Sequence, residues 1–246
     1  MDTFGAETDP PILLIHGAGN TRFAWHDEFC ERLTGRFVIR YDATGDSVAA
    51  MTADALRVLG DRRAHLVGLS LGGIVAQQLA LDHPDRVLSL TLLATTPGGE
   101  DLPGPEAGLF DHEPEVPDWS DRDAVVTYLV EAERAYSPRF DEQAAREYAE
   151  RVADDPTTVK TFIESPFEWG EPSRPRLHEL RTPTLVIHGT DDPMFPLAHG
   201  ETLAAEIDGA TLLVLPETGH EYPPRRHWDT VIPALLQHTD ADRGLR

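Results

Sequence analysis

The sequence predicts an α/β fold, a mostly parallel β-sheet with helices on both faces, and two observations carry that prediction. Short apolar runs alternate with helix-like segments along most of the 246 residues, the order that builds a parallel sheet. Two of the later runs stop at chemically capable residues at their carboxyl ends, where open parallel sheets place their ligand sites. A chain of this length can bury one substantial core, and α/β folds of this size commonly form a single unit.

The first strand is expected at residues 11–15 and the second at 37–41, with a helix near 23–33 between them. The short segment Ala43-Thr44-Gly45-Asp46-Ser47 then leads to a helix at 50–59. A strand at 64–69 is followed by a helix at 72–82 and a strand at 87–94. There the alternation stops: residues 97–119 are rich in proline, glycine and acids, and helix-like runs follow near 121–135 and 141–152. It resumes with strands at 184–188 and 211–215 and helices near 197–207 and 225–238. The expected organisation is a core of residues 1–96 and 181–246, interrupted at 97–180, with no internal repeat.

Ser70 is central to the functional reading. It sits in Gly68-Leu69-Ser70-Leu71-Gly72-Gly73, between the strand run 64–69 and the helix-like run 74–81. Glycines two before and two after the serine allow a sharp strand-to-helix turn that a β-carbon would obstruct. A serine there is lifted clear of the sheet, and the helix N-terminus beside it offers unpaired N–H groups and a positive dipole end suited to an oxyanion. The plain alternative is a tight turn with an incidental serine. A strand before and a helix after argue against it.

A serine hydroxyl is weak until a base takes its proton and a third group orients that base. The run 184–188 stops at Gly189-Thr190-Asp191-Asp192-Pro193, and the run 211–215 stops at Pro216-Glu217-Thr218-Gly219-His220. The order is serine, acid, histidine, each on a loop at the carboxyl end of a strand. Asp191 and Asp192 are adjacent candidates for the acid, at least one of them serving as a turn or capping residue, and Glu100 is a more distant alternative. His65 and His188 lie in strand runs and read as core or strand-end residues. The other histidines (His26, His83, His112, His178, His199, His227, His238) are scattered without zinc-type spacing, so no metal and no cofactor are expected.

These features resemble the α/β-hydrolase family, with Gly68 to Gly72 as its nucleophile elbow and His16-Gly17-Ala18-Gly19 as its oxyanion loop. Within that family the chain is most similar to the aclacinomycin methylesterase group and related actinobacterial esterases. That likeness rests on Arg40-Tyr41-Asp42, Ala64-His65-Leu66-Val67-Gly68-Leu69-Ser70, His188-Gly189-Thr190-Asp191-Asp192-Pro193 and Trp228-Asp229-Thr230-Val231-Ile232-Pro233. The resemblance implies that Ser70 is the nucleophile, His220 the general base and then acid, and Asp192, directly before Pro193, the orienting carboxylate. It also implies an oxyanion hole from the backbone N–H groups of Ala18 and Leu71, with His16 supporting the loop, and a helical cap at 97–180.

Two departures from that family stand out. Only ten residues precede the first strand, so the usual opening hairpin is expected to be missing or reduced to residues 2–5, leaving a sheet edge uncovered. The segment after Asp42 is short and should open one side of the pocket. For the pocket itself, a cap over the serine must present some apolar side chains to the cleft. The candidates are Gly17, Trp25, Trp119, Tyr128, Phe162 and Trp169, although aromatic residues at helical spacing more often pack internally.

Composition narrows the partners. With 43 Asp and Glu against 21 Lys and Arg, the formal net charge is −22, which opposes approach of nucleic acid, anionic membranes and polyanionic substrates. Most of these acids are expected to be solvated surface. The single cysteine, Cys30, can form no intrachain disulfide, and neither a signal peptide nor an apolar run of about 20 residues is present, so a cytoplasmic monomer or homodimer is expected.

The expected function is a serine carboxylic-ester hydrolase working through an acyl-enzyme on a small-molecule ester with an acyl group larger than acetate. The subgroup resemblance points to a methyl ester on a hydrophobic or polyketide-like compound. A lactonase or acyltransferase with the same three residues, and a non-catalytic ligand-binding member of the fold, are the alternatives. A nucleotide-binding reading of the glycines fails, because neither turn has a phosphate-loop lysine or dinucleotide spacing.

Overall fold

The computed structural model describes residues 1–111 and 113–240; His112 and residues 241–246 lie outside the described residues. The strands are β1 (Asp2–Phe4), β2 (Pro11–Ile15), β3 (Phe37–Arg40), β4 (Ala64–Leu69), β5 (Val87–Leu93), β6 (Thr184–Gly189) and β7 (Thr211–Leu215). They form one sheet in the order β1-β3-β2-β4-β5-β6-β7, parallel throughout except for β1. The chain runs from β2 outward to β3 on one side and then returns to β4 on the other. That reversal opens a crevice at the carboxyl ends of β2 and β4, the switch point where such sheets bind ligands.

The helices are α1 (Asp27–Arg32), α2 (Val48–Leu59), α3 (Leu71–Asp82), α4 (Arg122–Arg134), α5 (Glu142–Val152), α6 (Thr157–Glu164), α7 (Ala198–Glu206) and α8 (Trp228–Asp240). Successive strand residues face opposite layers, as the period of two requires. Leu13 and Ile15 of β2 pack with Met51 and Ala55 of α2 and Val75 and Leu79 of α3, whereas Ile12 and Leu14 pack with Phe29 of α1 and Trp228 and Leu235 of α8. Burial on both faces is why the central strands read as continuous apolar runs.

The opening hairpin survives as one strand, with β1 antiparallel to β3 through the pairs Asp2↔Arg40, Thr3↔Ile39 and Phe4↔Val38. Three residues hold poorly by backbone pairing alone. The Asp2 carboxylate therefore matters: it meets Arg22 Nε at 3.1 Å and the buried Arg40 guanidinium at 2.9 Å. Arg40 also reaches Asp27 and the Trp25 carbonyl, so its charge is compensated out of water.

Several elements differ from expectation. The helix expected at 23–33 is a 3-10 turn, Arg22–Ala24, followed by α1, because Trp25 is extended (φ −83°, ψ 98°) and its carbonyl is taken by Arg40. The helix expected at 225–238 opens with a 3-10 turn, Arg225–His227, and α8 then runs through Pro233 to Asp240. Helix α6 was not expected; its apolar stripe, Val159, Phe162 and Ile163, spans only eight residues, of which Val159 alone is buried.

Between β5 and β6, α4 and α5 form a small core of their own, with Val125, Leu129, Tyr148, Ala149 and Val152 packed together and Val159 of α6 beside them. This helical layer lies across the carboxyl ends of the strands. No helix among the described residues is long and apolar enough to cross a membrane.

Candidate active site

Ser70 occupies the turn between β4 and α3 with φ 54° and ψ −119°, a conformation that costs a non-glycine residue on the order of 1–3 kcal/mol. The surroundings enforce it. The Ser70 N–H donates to the Leu93 carbonyl at 3.0 Å, and its own carbonyl accepts from Thr95 Oγ1 at 2.7 Å and from the Gly73 and Ile74 amides. A β-carbon on Gly68 would overlap the Gly72 carbonyl; one on Gly72 would overlap the Ile15 carbonyl and lie 2.7 Å from the His16 oxygen. The glycine spacing is thus a steric requirement of bringing α3 against the end of β2.

His220 lies on the loop after β7, its Nε2 2.9 Å from Ser70 Oγ. Its Nδ1 faces Asp192, at 3.1 Å from Oδ1 and 3.0 Å from Oδ2. The Asp192 Oδ1 also accepts the Met194 and Phe195 amides at 2.9 and 2.8 Å. Burial opposes ionisation of this carboxyl, but the hydrogen bond and charge of His220 and the Phe195 amide outweigh it and hold its pKa below the usual aspartate value. Asp191 is exposed and its carboxylate meets the Thr190 hydroxyl instead. Beneath the acid, buried His188 donates Nε2–H to the Phe195 carbonyl at 2.7 Å and lies 3.5 Å from Asp192 Oδ2.

The loop at residues 16–19 is clamped through His16. The Ala43 N–H donates to His16 Nε2 at 3.0 Å, which leaves the proton on Nδ1, and Nδ1–H donates to the Gly17 carbonyl at 2.8 Å. That carbonyl and the Ala18 N–H belong to one planar trans peptide, so holding one end aims the other. The Leu71 N–H is among the unpaired donors at the start of α3. No described residue accepts from the Ala18 or Leu71 amide. Gly17 lies beside the serine: a β-carbon there would be 3.5 Å from Ser70 Cβ.

Ser70 and His220 open into a cavity of about 430 Å³ between the sheet ends and the helical layer, walled by α4 and α6. Of the expected pocket residues, Gly17 and Tyr128 line it. Phe162 lines a neighbouring cavity of about 640 Å³ that shares Gly17 and Gly19 with the first and is bordered by residues 43–46, the short segment after Asp42. The three tryptophans line neither. Trp25 is buried against Phe29 and Tyr222; Trp119 packs on Tyr128 from outside and donates Nε1–H to Glu164; Trp169 is half exposed against Phe167. Each of the three is a packing residue.

Sequence reasoning missed Glu133, Tyr136 and Tyr222, all of which line the serine cavity. The Tyr136 carbonyl accepts the His220 N–H at 2.8 Å, joining the helical layer to the histidine loop. Burial raises the Glu133 carboxyl to about 6, against the opposing pull of His220 and Asn20. The only signal for Tyr222 was its place two residues after His220. Among the described residues, no group of His, Cys, Asp or Glu is arranged to hold a metal ion.

The α/β-hydrolase fold family matches residues 40–222, a stretch that includes the Ser70 turn, Asp192 and His220. The chain belongs to the α/β-hydrolase family. Among its relatives is a rhodomycin D methylesterase of Streptomyces peucetius, 32% identical, with 96% of this chain and 93% of that protein covered. A poly(3-hydroxyalkanoate) depolymerase of Ectopseudomonas oleovorans is 28% identical over 95% of this chain and 85% of its own. Among solved structures, a meta-cleavage product hydrolase of Pseudomonas fluorescens superposes with a TM-score of 0.74 at 20% identity, covering 98% of this chain and 93% of that one. This α/β-hydrolase shares its fold with a meta-cleavage product hydrolase and is similar in sequence to a rhodomycin D methylesterase.

Proposed function

We propose that this α/β-hydrolase is a serine carboxylic-ester hydrolase in which Ser70, His220 and Asp192 act as a triad. The observation that carries the reading is the unbroken line from Ser70 Oγ to His220 Nε2 at 2.9 Å and from His220 Nδ1 to the Asp192 carboxylate at 3.0 Å. Ser70 Oγ attacks the ester carbonyl as its proton passes to His220 Nε2, and Asp192 stabilises the imidazolium. The carbonyl oxygen becomes an oxyanion held by the Ala18 and Leu71 N–H groups, donors already aimed before the reaction. Collapse of the tetrahedral intermediate breaks the bond to the alkoxy oxygen, which takes the proton from His220 and leaves as the alcohol. A water then gives its proton to His220 and attacks the acyl carbon, and release of the acid regenerates Ser70.

Residues 97–180, which carry α4, α5 and α6, serve as the cap of the cavity. The cavity volume and the 32% identity to a methylesterase support an ester with a bulky hydrophobic acid part and a small alcohol, a methyl ester foremost. The test is labelling with a fluorophosphonate read by intact mass and peptide mapping. One adduct on Ser70, lost in His220→Ala, is expected, together with hydrolysis of p-nitrophenyl acetate that falls by roughly 10⁴–10⁶ in Ser70→Ala. Undiminished activity of pure Ser70→Ala protein would overturn the reading.

A further inference from the structure

Tyr222 stands between the histidine loop and the oxyanion loop. Its phenolic oxygen accepts the Gly17 N–H at 2.9 Å, and its ring packs edge-on against Trp25 with centroids 4.9 Å apart and planes at 88°. The oxygen is therefore fixed from one side by an amide and the ring from the other by an indole. A phenol has one proton to donate as well as lone pairs to accept with. Among the described residues no acceptor takes that proton, and Tyr222 lines the cavity that holds Ser70 and His220. Glu133, Asn20 and Tyr148 are neighbouring polar residues; none is bonded to the Tyr222 hydroxyl.

We propose that Tyr222 donates its phenolic proton to the oxyanion formed on the substrate, as a side-chain donor beside the Ala18 and Leu71 amides. The placement follows from the loop. Gly17 carries the amide that holds the phenol, is next in sequence to the Ala18 amide, and has Ser70 Cβ 3.5 Å from where its own β-carbon would stand. Tyr222, Gly17, Ala18 and Ser70 thus line one cavity, where the substrate carbonyl must meet the loop. Burial raises the Tyr222 pKa well above that of an ordinary tyrosine, so the proton stays in place throughout the working pH range. The arrangement suits a carbonyl substrate, because the hydrogen bond strengthens as negative charge develops, and it rests on the serine-esterase reading above.

The test compares wild type, Tyr222→Phe and protein carrying 3-fluorotyrosine at position 222, with p-nitrophenyl acetate as substrate and a phenylboronic acid as tetrahedral analogue. Tyr222→Phe is expected to lower kcat about 10- to 100-fold with KM within twofold, and to weaken boronate binding by a similar factor. Fluorination keeps the size of the ring, strengthens the proton as a donor and weakens the oxygen as an acceptor for Gly17. A rise in kcat of about twofold is expected from a donor. Unchanged or lowered kcat in the fluorinated protein would overturn the proposal and leave Tyr222 as a support for the loop. A rise in KM alone in Tyr222→Phe would overturn it too, making the residue a cavity wall. Failure of the serine-esterase reading is separable, since wild type would then show neither Ser70 labelling nor turnover.

Discussion

At the residue scale, the arrangement around Asp192 makes a sharp demand on its chemistry. Oδ1 is committed to the Met194 and Phe195 amides, so in Asp192→Asn the amide oxygen must take that position and the NH₂ must face His220 Nδ1. Nδ1 would then have to accept, the proton would move to Nε2, and the histidine could no longer receive one from Ser70 Oγ. Turnover is expected to fall by on the order of 10⁴ while the melting temperature changes little, which steady-state kinetics and thermal unfolding would check together. The pair Asp191-Asp192 was legible as an acid-bearing loop. Which carboxylate turns inward is decided by the path of residues 191–195, where two amides converge on one side chain.

At the element scale, the His220 loop is seated by the helical layer as well as by the core. The strap after α4 places the Tyr136 carbonyl on the His220 N–H, and Gly219 permits this approach, because a β-carbon there would overlap that carbonyl and lie 2.9 Å from Pro138 Cδ. Gly219→Ala should push the strap away. A destabilisation of about 1–3 kcal/mol and a loss of roughly tenfold in kcat are expected, measured by chemical unfolding and by ester hydrolysis. The strands and the core helices were readable because burial on two faces leaves long apolar runs. Helix α6 was not, since its stripe of Val159, Phe162 and Ile163 fills only eight residues, too short a window to stand out, and the strap's role was hidden because a backbone carbonyl has no sequence signature.

At the scale of the whole molecule, folding moves Glu133 from water to the cavity wall and raises its pKa from 4.5 to about 6. The folded state therefore binds this proton more tightly than the unfolded chain does. Stability from this group is fully present below pH 4.5 and is lost as pH rises through 6. Glu133→Gln should remove that loss: its melting temperature should gain on wild type as pH climbs from 4.5 to above 6, in thermal melts at matched ionic strength. A gap that stays constant across this window would show that Glu133 titrates as in water. The sequence by itself determined the α/β order, the steric turn at Ser70 and the serine–acid–histidine succession at strand ends, because these depend on local periodicity and on where glycine is obligatory. Only the tertiary structure decided which aromatic side chains face the cavity. Trp25 packs inward while Tyr128, Tyr136 and Tyr222 line it, because the packing of α4 and the paths of the loops at residues 25, 136 and 222 turn each ring through contacts far apart in the chain.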